Sequence, residues 1–296
     1  MVNSIVIGTV IALSMVQQTD TTVAANGAKR LDLDNAGGRI HVMTWNRDEI
    51  RIQAEHSSRT RVEVRHRRGA VTIEAESRRG PTTIVDYEIT VPRAMDLRLE
   101  GMFSDIVVDG SDGEVTAETM QGNITIRGGA GHVRASSTTG SVRVEDAQGT
   151  IDIETVADDI RIVDSSGDIA AESVGGSIIL EGVDATSVEV GTVGGRIIYS
   201  GALHDGGEYF FGTHGGTIQI AIPASSNVDI TAATVHGTIS SDLPGAPQSF
   251  RRGERASFTI GSGAATLEAE TFGGRIRLRR LGAAGGAELR EEAPRR

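Results

Sequence analysis

One short stretch recurs through the middle of the chain and decides the fold. The letters GNITIR at residues 122–127 return as GSVRVE at 140–145, DDIRIV at 158–163 and GSIILE at 176–181, each eighteen residues after the last. Regularity of this kind is the signature of a structural repeat. Apolar and polar residues alternate within each copy, which predicts a short strand with one buried face.

Each repeat unit contains two such strands. The first aliphatic residues of successive units are Ile106, Ile124, Val142, Ile160, Ile178 and Ile197. A second series lies about nine residues further on, at Val115, Val133, Ile151, Ile169 and Val188. In the second series a large residue is often followed two positions later by a small one, as in Val133 and Ala135. Small inward residues are typical of a thin core.

Glycine marks the predicted corners between these strands. It stands two residues before the first aliphatic position at Gly122, Gly140, Gly176 and Gly195, and before the second at Gly113, Gly131, Gly149 and Gly167. Glycine reaches positive φ without a Cβ penalty, as a tight corner requires. Asp158 and Thr186 replace glycine in two units, and the additional residue in the second of these predicts a bulge at Thr186.

A third recurring position lies four residues before the first aliphatic residue of a unit. It is occupied by Met120, Thr138, Val156, Val174 and Val193, and continues as His214, Val235 and Phe272. Its apolar character predicts a third inward contact in each coil.

The predicted fold is therefore all-β, a β-solenoid of the parallel β-helix type with coils of about 18 residues. Equivalent strands of successive coils would pair in parallel about 4.8 Å apart. A meander of antiparallel hairpins is the competing interpretation, since nine residues also make a strand and a turn. The eighteen-residue period favours the solenoid because side-chain size is conserved from one unit to the next at that spacing.

Composition fits a stacked coil better than a globular enzyme. Of 296 residues only 3% are aromatic, whereas 38 are glycine and none is cysteine. Disulfide and thiolate chemistry are therefore excluded. A net charge of −11 argues against a nucleic-acid partner. Arginine is dense between Arg59 and Arg79, and this block predicts either a solvated edge strand or a docking face for an anionic polymer or membrane.

The chain divides into five predicted regions. Residues 1–25 resemble a signal peptide, with an apolar run at 5–16 and cleavage expected near Ala25. Residues 28–100 form a β-rich capping module, in which the single tryptophan, Trp45, is expected in the core. Residues 101–200 carry the regular solenoid, 201–280 continue it irregularly, and 281–296 form a disordered tail.

Two further motifs complete the pattern. The pair Val91-Pro92 before Leu97 matches Ile222-Pro223 before Val228, and each proline is expected at a corner or edge. Together with the recurring Thr-x-x-Gly-x-Ile-x-Ile pattern and the stretch 42–50, these motifs resemble the putative-adhesin family of bacterial β-strand repeat domains, over roughly residues 28–280. The resemblance implies export and surface display. It implies no catalytic residues, because none are defined for that family.

The sequence supplies few candidates for chemistry. His214 and His236 are predicted to lie about one coil apart, with their rings near each other, and His132 to point outward. Asp158, Asp159, Asp164 and Asp168, with Asp146 and Asp184 on neighbouring coils, could be turn residues, Ca²⁺ ligands or a carboxylate pair acting on a glycosidic bond. The turn interpretation is favoured, and no catalytic, cofactor-binding or metal-binding residue is assigned.

The predicted function is that of a non-enzymatic, exported β-repeat protein, a monomer that presents an interaction surface at the bacterial cell envelope. Its partner would be an envelope protein or polysaccharide, with no nucleic acid, no cofactor and no transmembrane segment in the mature chain. Its location would be the periplasm or the cell surface. The alternatives are an envelope glycan-binding module, a β-helical polysaccharide lyase or hydrolase, and a scaffold that assembles through its coil ends.

Overall fold

The computed structural model describes residues 16–67, 69–77, 80 and 84–282. The described part of the chain is all-β. Most of the predicted leader, the final residues of the predicted tail, and Arg68, Arg78 and Arg79 lie outside the described residues. In chain order the strands are β1 (Val16–Ala24), β2 (Arg30–Trp45), β3 (Glu49–Ser57), β4 (Thr60–Arg67), β5 (Ala70–Ser77), β6 (Asp86–Pro92), β7 (Asp96–Ser111), β8 (Val115–Gln121), β9 (Ile124–Gly128), β10 (Ala130–Thr139), β11 (Val142–Glu145), β12 (Gln148–Thr155), β13 (Ile160–Val163), β14 (Ser166–Ser173), β15 (Ile178–Thr192), β16 (Ile197–Gly201), β17 (Glu208–Thr213), β18 (Ile218–Ile222), β19 (Val228–Thr234), β20 (Thr238–Ser241), β21 (Arg255–Ile260), β22 (Ala265–Thr271) and β23 (Arg275–Arg280).

Successive coils lie directly above one another, as the period predicts. Val133 pairs with Ile151 and Val142 pairs with Ile160, each in a parallel ladder. The first aliphatic series continues upward to Ile178, where β13 pairs with β15. The β-solenoid is therefore confirmed, and the meander of antiparallel hairpins is wrong.

The solenoid has two faces. The first face contains β5, β8, β10, β12, β14, β17, β22 and β19, and the second contains β6, β9, β11, β13, β16, β18, β23 and β20. The long strands β2 and β7 run from the first face to the second, and β15 runs from the second face to the first at the opposite corner, so that each contributes a segment to both faces. Hydrogen bonding therefore links all strands into one continuous sheet.

The core is the thin space between the two faces. Ile124, Ile126, Val133 and Ala135 are fully buried there, as the alternation predicts. The small residues allow the faces to approach, and each buried valine or isoleucine contributes roughly 1.5–3 kcal/mol. The predicted bulge is also present. The β14–β15 register pairs Gly167 with Ala185 and Asp168 with Ser187, so that Thr186 is skipped in the strand pairing.

Two constraints require glycine at the corners. Gly122 and Gly140 have positive φ, at 144° and 139°, and a Cβ on them would also lie 2.2 and 2.0 Å from a carbonyl oxygen in the coil below. Gly195 does not have positive φ, contrary to the prediction. A Cβ on Gly195 would lie 1.8 Å from the carbonyl oxygen of Gly176 in the coil below. At this position glycine is required because two coils approach closely at the corner.

A ladder of buried hydroxyls holds the same corner. From β8 onward, each coil places a serine or threonine inward three residues before the corner residue: Thr119, Ser137, Thr155, Ser173, Thr192, Thr213, Thr271 and Thr234. Thr213 shows the bonding. Its Oγ1 accepts a hydrogen bond from the N–H of Gly216 at 3.1 Å and donates one to the carbonyl of Gly195 in the coil below at 3.3 Å. This arrangement explains the recurring Thr-x-x-Gly motif.

Both ends of the solenoid depart from chain order in the same way. The first coil, β2, lies between β5/β6 and β7. The last coil, β22/β23, lies between β17/β18 and β19/β20. The chain skips one level directly after Pro92 and again after Pro223. Both turns close alike, with the N–H groups of Met95 and Ser226 donating to the proline carbonyls at 3.0 and 3.1 Å.

Antiparallel strands cover three of the four outermost solenoid strands; the fourth, β20, pairs only with β23 among the described strands. β4 pairs with β5, β3 with β6, β1 with β3, and β21 with β19. Cleavage near Ala25 remains a prediction, and it would remove β1 and uncover the edge of β3. None of the described segments forms a helix long and apolar enough to cross a membrane.

The close approach at the corner can be tested within one coil. We expect Gly195→Ala to destabilise the protein by about 1–3 kcal/mol, because its Cβ would overlap a backbone carbonyl. Gly191→Ala is the matched control, since nothing lies within 4 Å of a Cβ at that position. Its stability should change by less than about 0.5 kcal/mol. Urea unfolding followed by circular dichroism measures both, and equal stability of the two variants would contradict the assignment.

The hydroxyl ladder makes a second prediction. Thr213→Val keeps the side-chain volume but leaves the N–H of Gly216 buried without an acceptor, which should cost about 1–3 kcal/mol. Thr213→Ser retains the hydroxyl and should cost less. Thermal unfolding of the two variants measures the difference. A valine variant as stable as the serine variant would show that the ladder does not contribute.

Candidate functional site

A row of exposed apolar side chains follows one corner of the solenoid. It consists of Met120, Val156, Val174, Val193, Phe272 and Val235, with Thr138 and His214 between them, and is called the corner stripe below. Its apolar members range from 45% exposed at Phe272 to 60% at Met120. These are the residues predicted to make the third inward contact. That prediction is wrong, because they face solvent.

Strand alternation explains the outward direction of the stripe. Val115, Ala117 and Thr119 of β8 face inward, so Met120 must face outward before the chain turns. Hydrogen bonds between coils then fix the row. The carbonyl of Val174, for example, accepts the N–H of Gly194 in the next coil at 3.0 Å. The stripe is therefore a ladder held by backbone bonds, with one rung per coil.

A groove of about 470 Å³ runs beside the stripe on the first face. Val156, Val174 and Val193 line one side of it. Glu154 and Glu172 lie on the other side, on the outer surface of β12 and β14. The groove therefore combines an aliphatic wall with an acidic one.

Near the C-terminal end the stripe becomes aromatic. The ring of His214 stacks on Phe272, with centroids 4.9 Å apart, and His236 meets Phe272 edge-on at 5.1 Å. The prediction that the two histidines lie one coil apart is wrong, because β22 is inserted between β17 and β19 and places Phe272 between the two rings. His132 is partly exposed on the outer surface, as predicted, 3.5 Å from Asp152. His204 contacts Asp184.

A second concavity of about 750 Å³ lies on the second face near the N-terminal end. Its lining includes Arg39, His41, Glu55, Asp86, Glu88 and Asp105. Two of these carboxylates bind backbone: Asp86 accepts the N–H of Arg39, and Asp105 that of Asn123, both at 2.8 Å. This N-terminal pocket joins carboxylates with basic side chains, which is the arrangement that the enzyme alternative requires.

Charged neighbours order the rim of the N-terminal pocket. His41 Nε2 lies 2.9 Å from Asp109 Oδ2, and Arg127 donates to the other oxygen of that carboxylate at 2.6 Å. Partial burial raises the pKa of Asp109, but the bonds from His41 and Arg127 outweigh it, and the pKa is lowered overall. Asp109 therefore remains ionised and holds the imidazole in place.

The acidic residues on the central coils serve turns. Asp158 and Asp159 each accept a backbone N–H from a neighbouring coil, at 2.9 and 2.7 Å. Asp146 and Asp164 have left-handed backbone, with φ of 57° and 48°, and Asp168 accepts a threonine hydroxyl at 3.0 Å. Among the residues that the structure describes, no three side chains of the metal-binding types are grouped to hold an ion.

Three arginines of the block, Arg61, Arg65 and Arg67, lie on the edge strand β4, as the first of its two interpretations predicted. Among the described strands, β4 pairs only with β5. Arg65 bonds to Glu63, Glu74 and Glu76 at 2.7, 2.5 and 3.0 Å. These carboxylates raise the pKa of Arg65 and neutralise much of its charge. This part of the block is therefore a balanced charged surface.

Trp45 is not in the core, contrary to the prediction. It is partly exposed at the end of β2, and its indole N–H donates to the carbonyl of Glu49 at 2.7 Å. The guanidinium of Arg47 lies 5.0 Å from the ring centroid, a cation–π contact. Trp45 thus closes the turn between β2 and β3.

Comparison with solved structures finds two adhesin-like proteins. One is described as a putative cell adhesion protein from Clostridium sporogenes ATCC 15579, with 10% identity over 90% of this chain and 99% of that chain and a TM-score of 0.22. The other is a putative adhesin from Parabacteroides distasonis ATCC 8503, with 12% identity over 90% and 98% and a TM-score of 0.38. At these scores the likeness carries no argument. No curated protein matches the chain.

The family comparison is more extensive. The model of the family described as Toastrack DUF4097 matches residues 28–279, which is nearly the whole described solenoid. The matched span agrees with the roughly 28–280 expected from the motifs, and the resemblance to an adhesin-like family of unknown function is confirmed. The chain is a member of the Toastrack DUF4097 family.

Proposed function

We propose that the protein is an exported, non-enzymatic β-solenoid that presents the corner stripe and its groove as an interaction surface at the bacterial cell envelope. The observation that carries this proposal is the stripe itself. Exposed apolar residues recur at this position on most coils. The alternation along the strand requires only that the residue face outward, and a polar residue would meet that requirement equally well. Val156, Val174 and Val193 lie on consecutive coils, and a contiguous exposed apolar patch is typical of an interaction site.

The frame that carries the stripe suits this role. Its backbone is fixed by hydrogen bonds between coils, so the side chains are held in position before a partner arrives. Preorganisation of this kind lowers the entropic cost of binding. The stripe also runs along the solenoid axis, so the contact area grows with the number of coils rather than being limited to one loop.

A triple variant tests the proposal in cells of the source bacterium. Val156→Ser, Val174→Ser and Val193→Ser together remove the aliphatic wall, with little effect on stability because the three side chains are exposed. We expect the wild-type protein in the envelope fraction and the triple variant to be released into the soluble fraction. Immunoblotting of fractionated cells measures the ratio.

Ile179→Ser is the matched control, because Ile179 is a partly exposed aliphatic residue on the outer surface of the second face. It should remain with the envelope. Release of the control together with the triple variant would contradict a role for the stripe. Recovery of the wild-type protein from the cytoplasm would contradict export.

A second candidate function, binding or cleavage of an envelope polysaccharide, is favoured by the N-terminal pocket. Within the part of the chain that the structure describes, Glu55 and Glu88 line the pocket without the backbone bonds that occupy Asp86 and Asp105, and His41 lines it with them. This candidate predicts that purified protein shortens or binds cell-wall polysaccharide, and that Glu88→Gln abolishes the effect while Glu172→Gln does not. Isothermal titration measures binding of the polysaccharide, and a reducing-end assay measures its cleavage. If neither assay shows an effect, this candidate function is wrong.

A further inference from the structure

Within the groove, one stretch of the first face has no side chains where other coils carry them. On the outer surface of the sheet, Glu154 and Glu172 are succeeded in the next two coils by Gly191 and Gly212. Nothing lies within 4 Å of a Cβ at Gly191, and its φ is not in the left-handed region. The fold therefore does not require glycine there.

Glycine in the interior of a strand weakens the strand and is often found where a ligand or another backbone approaches closely. The missing side chain at Gly191 opens a bay in the groove. Val174 and Val193 of the stripe line one side of it. On the next coil the ring of Phe210 covers Gly212, with ring atoms 3.0 and 3.2 Å from the place of a Cβ, and so bounds the bay. Phe210 is itself exposed.

The charge around the bay is negative. Glu172 lies on the coil below and Glu189 on the same strand as Gly191, and both are exposed. Neither makes an ion pair within the part of the chain that the structure describes, whereas Glu154 is paired with Arg134 at 3.2 Å. The bay therefore complements a group that is aliphatic on one side and cationic at its border.

The spacing of the rungs indicates the shape of the occupant. The groove crosses five coils, or about 19 Å at roughly 4.8 Å per coil. Residues three or four apart on an α-helix are separated by about 4.5–6 Å along its axis, which brackets the rung spacing. Alternate residues of an extended strand are about 6.6 Å apart and do not match it. A helix of about 13 residues would fill the groove.

We propose that the groove binds an amphipathic α-helix of a partner protein, with aliphatic side chains on Val156, Val174 and Val193 and a lysine or arginine beside Glu172 and Glu189. The bay at Gly191 admits its largest side chain. This assignment rests on the proposed function, because it names the partner class for the same surface.

The test uses the full chain and a fluorescent 14-residue peptide that places leucines on one face and lysines along the border of that face. Anisotropy titration measures its binding. We expect Gly191→Gln to weaken binding at least tenfold while unfolding at the same temperature as wild type, because the new side chain fills the bay. Glu172→Gln with Glu189→Gln should weaken it about 2–5-fold and reduce its salt dependence.

Matched controls define the outcomes that would overturn the assignment. Thr125→Gln places the same side chain on the outer surface of the second face and should bind as wild type. Equal binding of a scrambled peptide with the same composition would overturn the helical occupant. Tighter binding of a peptide with glutamates in place of the lysines would overturn the cationic character of the occupant. Tighter binding of a polysaccharide, lost in Gly191→Gln, would overturn a protein occupant. Unaltered binding to Gly191→Gln would overturn the location.

The two proposals fail in different ways. If the peptide does not bind but the stripe variant still leaves the envelope fraction, the partner class is wrong and the interaction surface stands. If the stripe variant remains in the envelope fraction, the proposed function fails, whatever the peptide does.

Discussion

Hydrogen bonding between coils is the interaction on which the whole structure depends. Each strand in the middle of the solenoid donates and accepts backbone bonds with the strand above and the strand below, so residues sit over their equivalents in the next coil. Insertion of one residue is tolerated only where it can bulge out of the ladder, as Thr186 does. The core, the corner glycines and the hydroxyl ladder all follow from this vertical alignment.

Alignment also converts a single residue choice into an extended surface. An exposed valine on one coil is a minor feature, but the same choice on successive coils makes the corner stripe. The conserved spacing fixes the distance between rungs, and the groove beside the stripe inherits that distance. A partner that binds along the axis therefore meets a regular row of contacts, which is why the shape of the occupant can be argued from the coil rise.

The ends of the solenoid solve the problem of open sheet edges. A parallel stack leaves unpaired N–H and carbonyl groups on its first and last coils, and such edges recruit other chains. Here each terminal coil is inserted one level inward, and antiparallel strands from the neighbouring segments pair with β5, β6 and β19 on the outside. Among the described strands, only β20 keeps an unpaired outer edge at the solenoid ends. The turns after Pro92 and Pro223 carry the chain over the inserted coil, which gives a physical meaning to their matching sequences.

The amino-acid sequence by itself determined the period, the two strands per coil, the inward aliphatic residues and the bulge, because these depend on local alternation and spacing. The outward direction of the stripe could also have been predicted from the sequence. Thr119 continues the alternate inward positions of β8, so the next residue, Met120, must face outward. The hydrophobicity of Met120 favoured the opposite interpretation. Only the tertiary structure decided the order of the terminal coils, the sandwich of His214, Phe272 and His236, and the place of Trp45. Backbone groups are the same in every coil, so any parallel edge accepts any coil, and the choice among them is made by contacts between distant segments that no local pattern records.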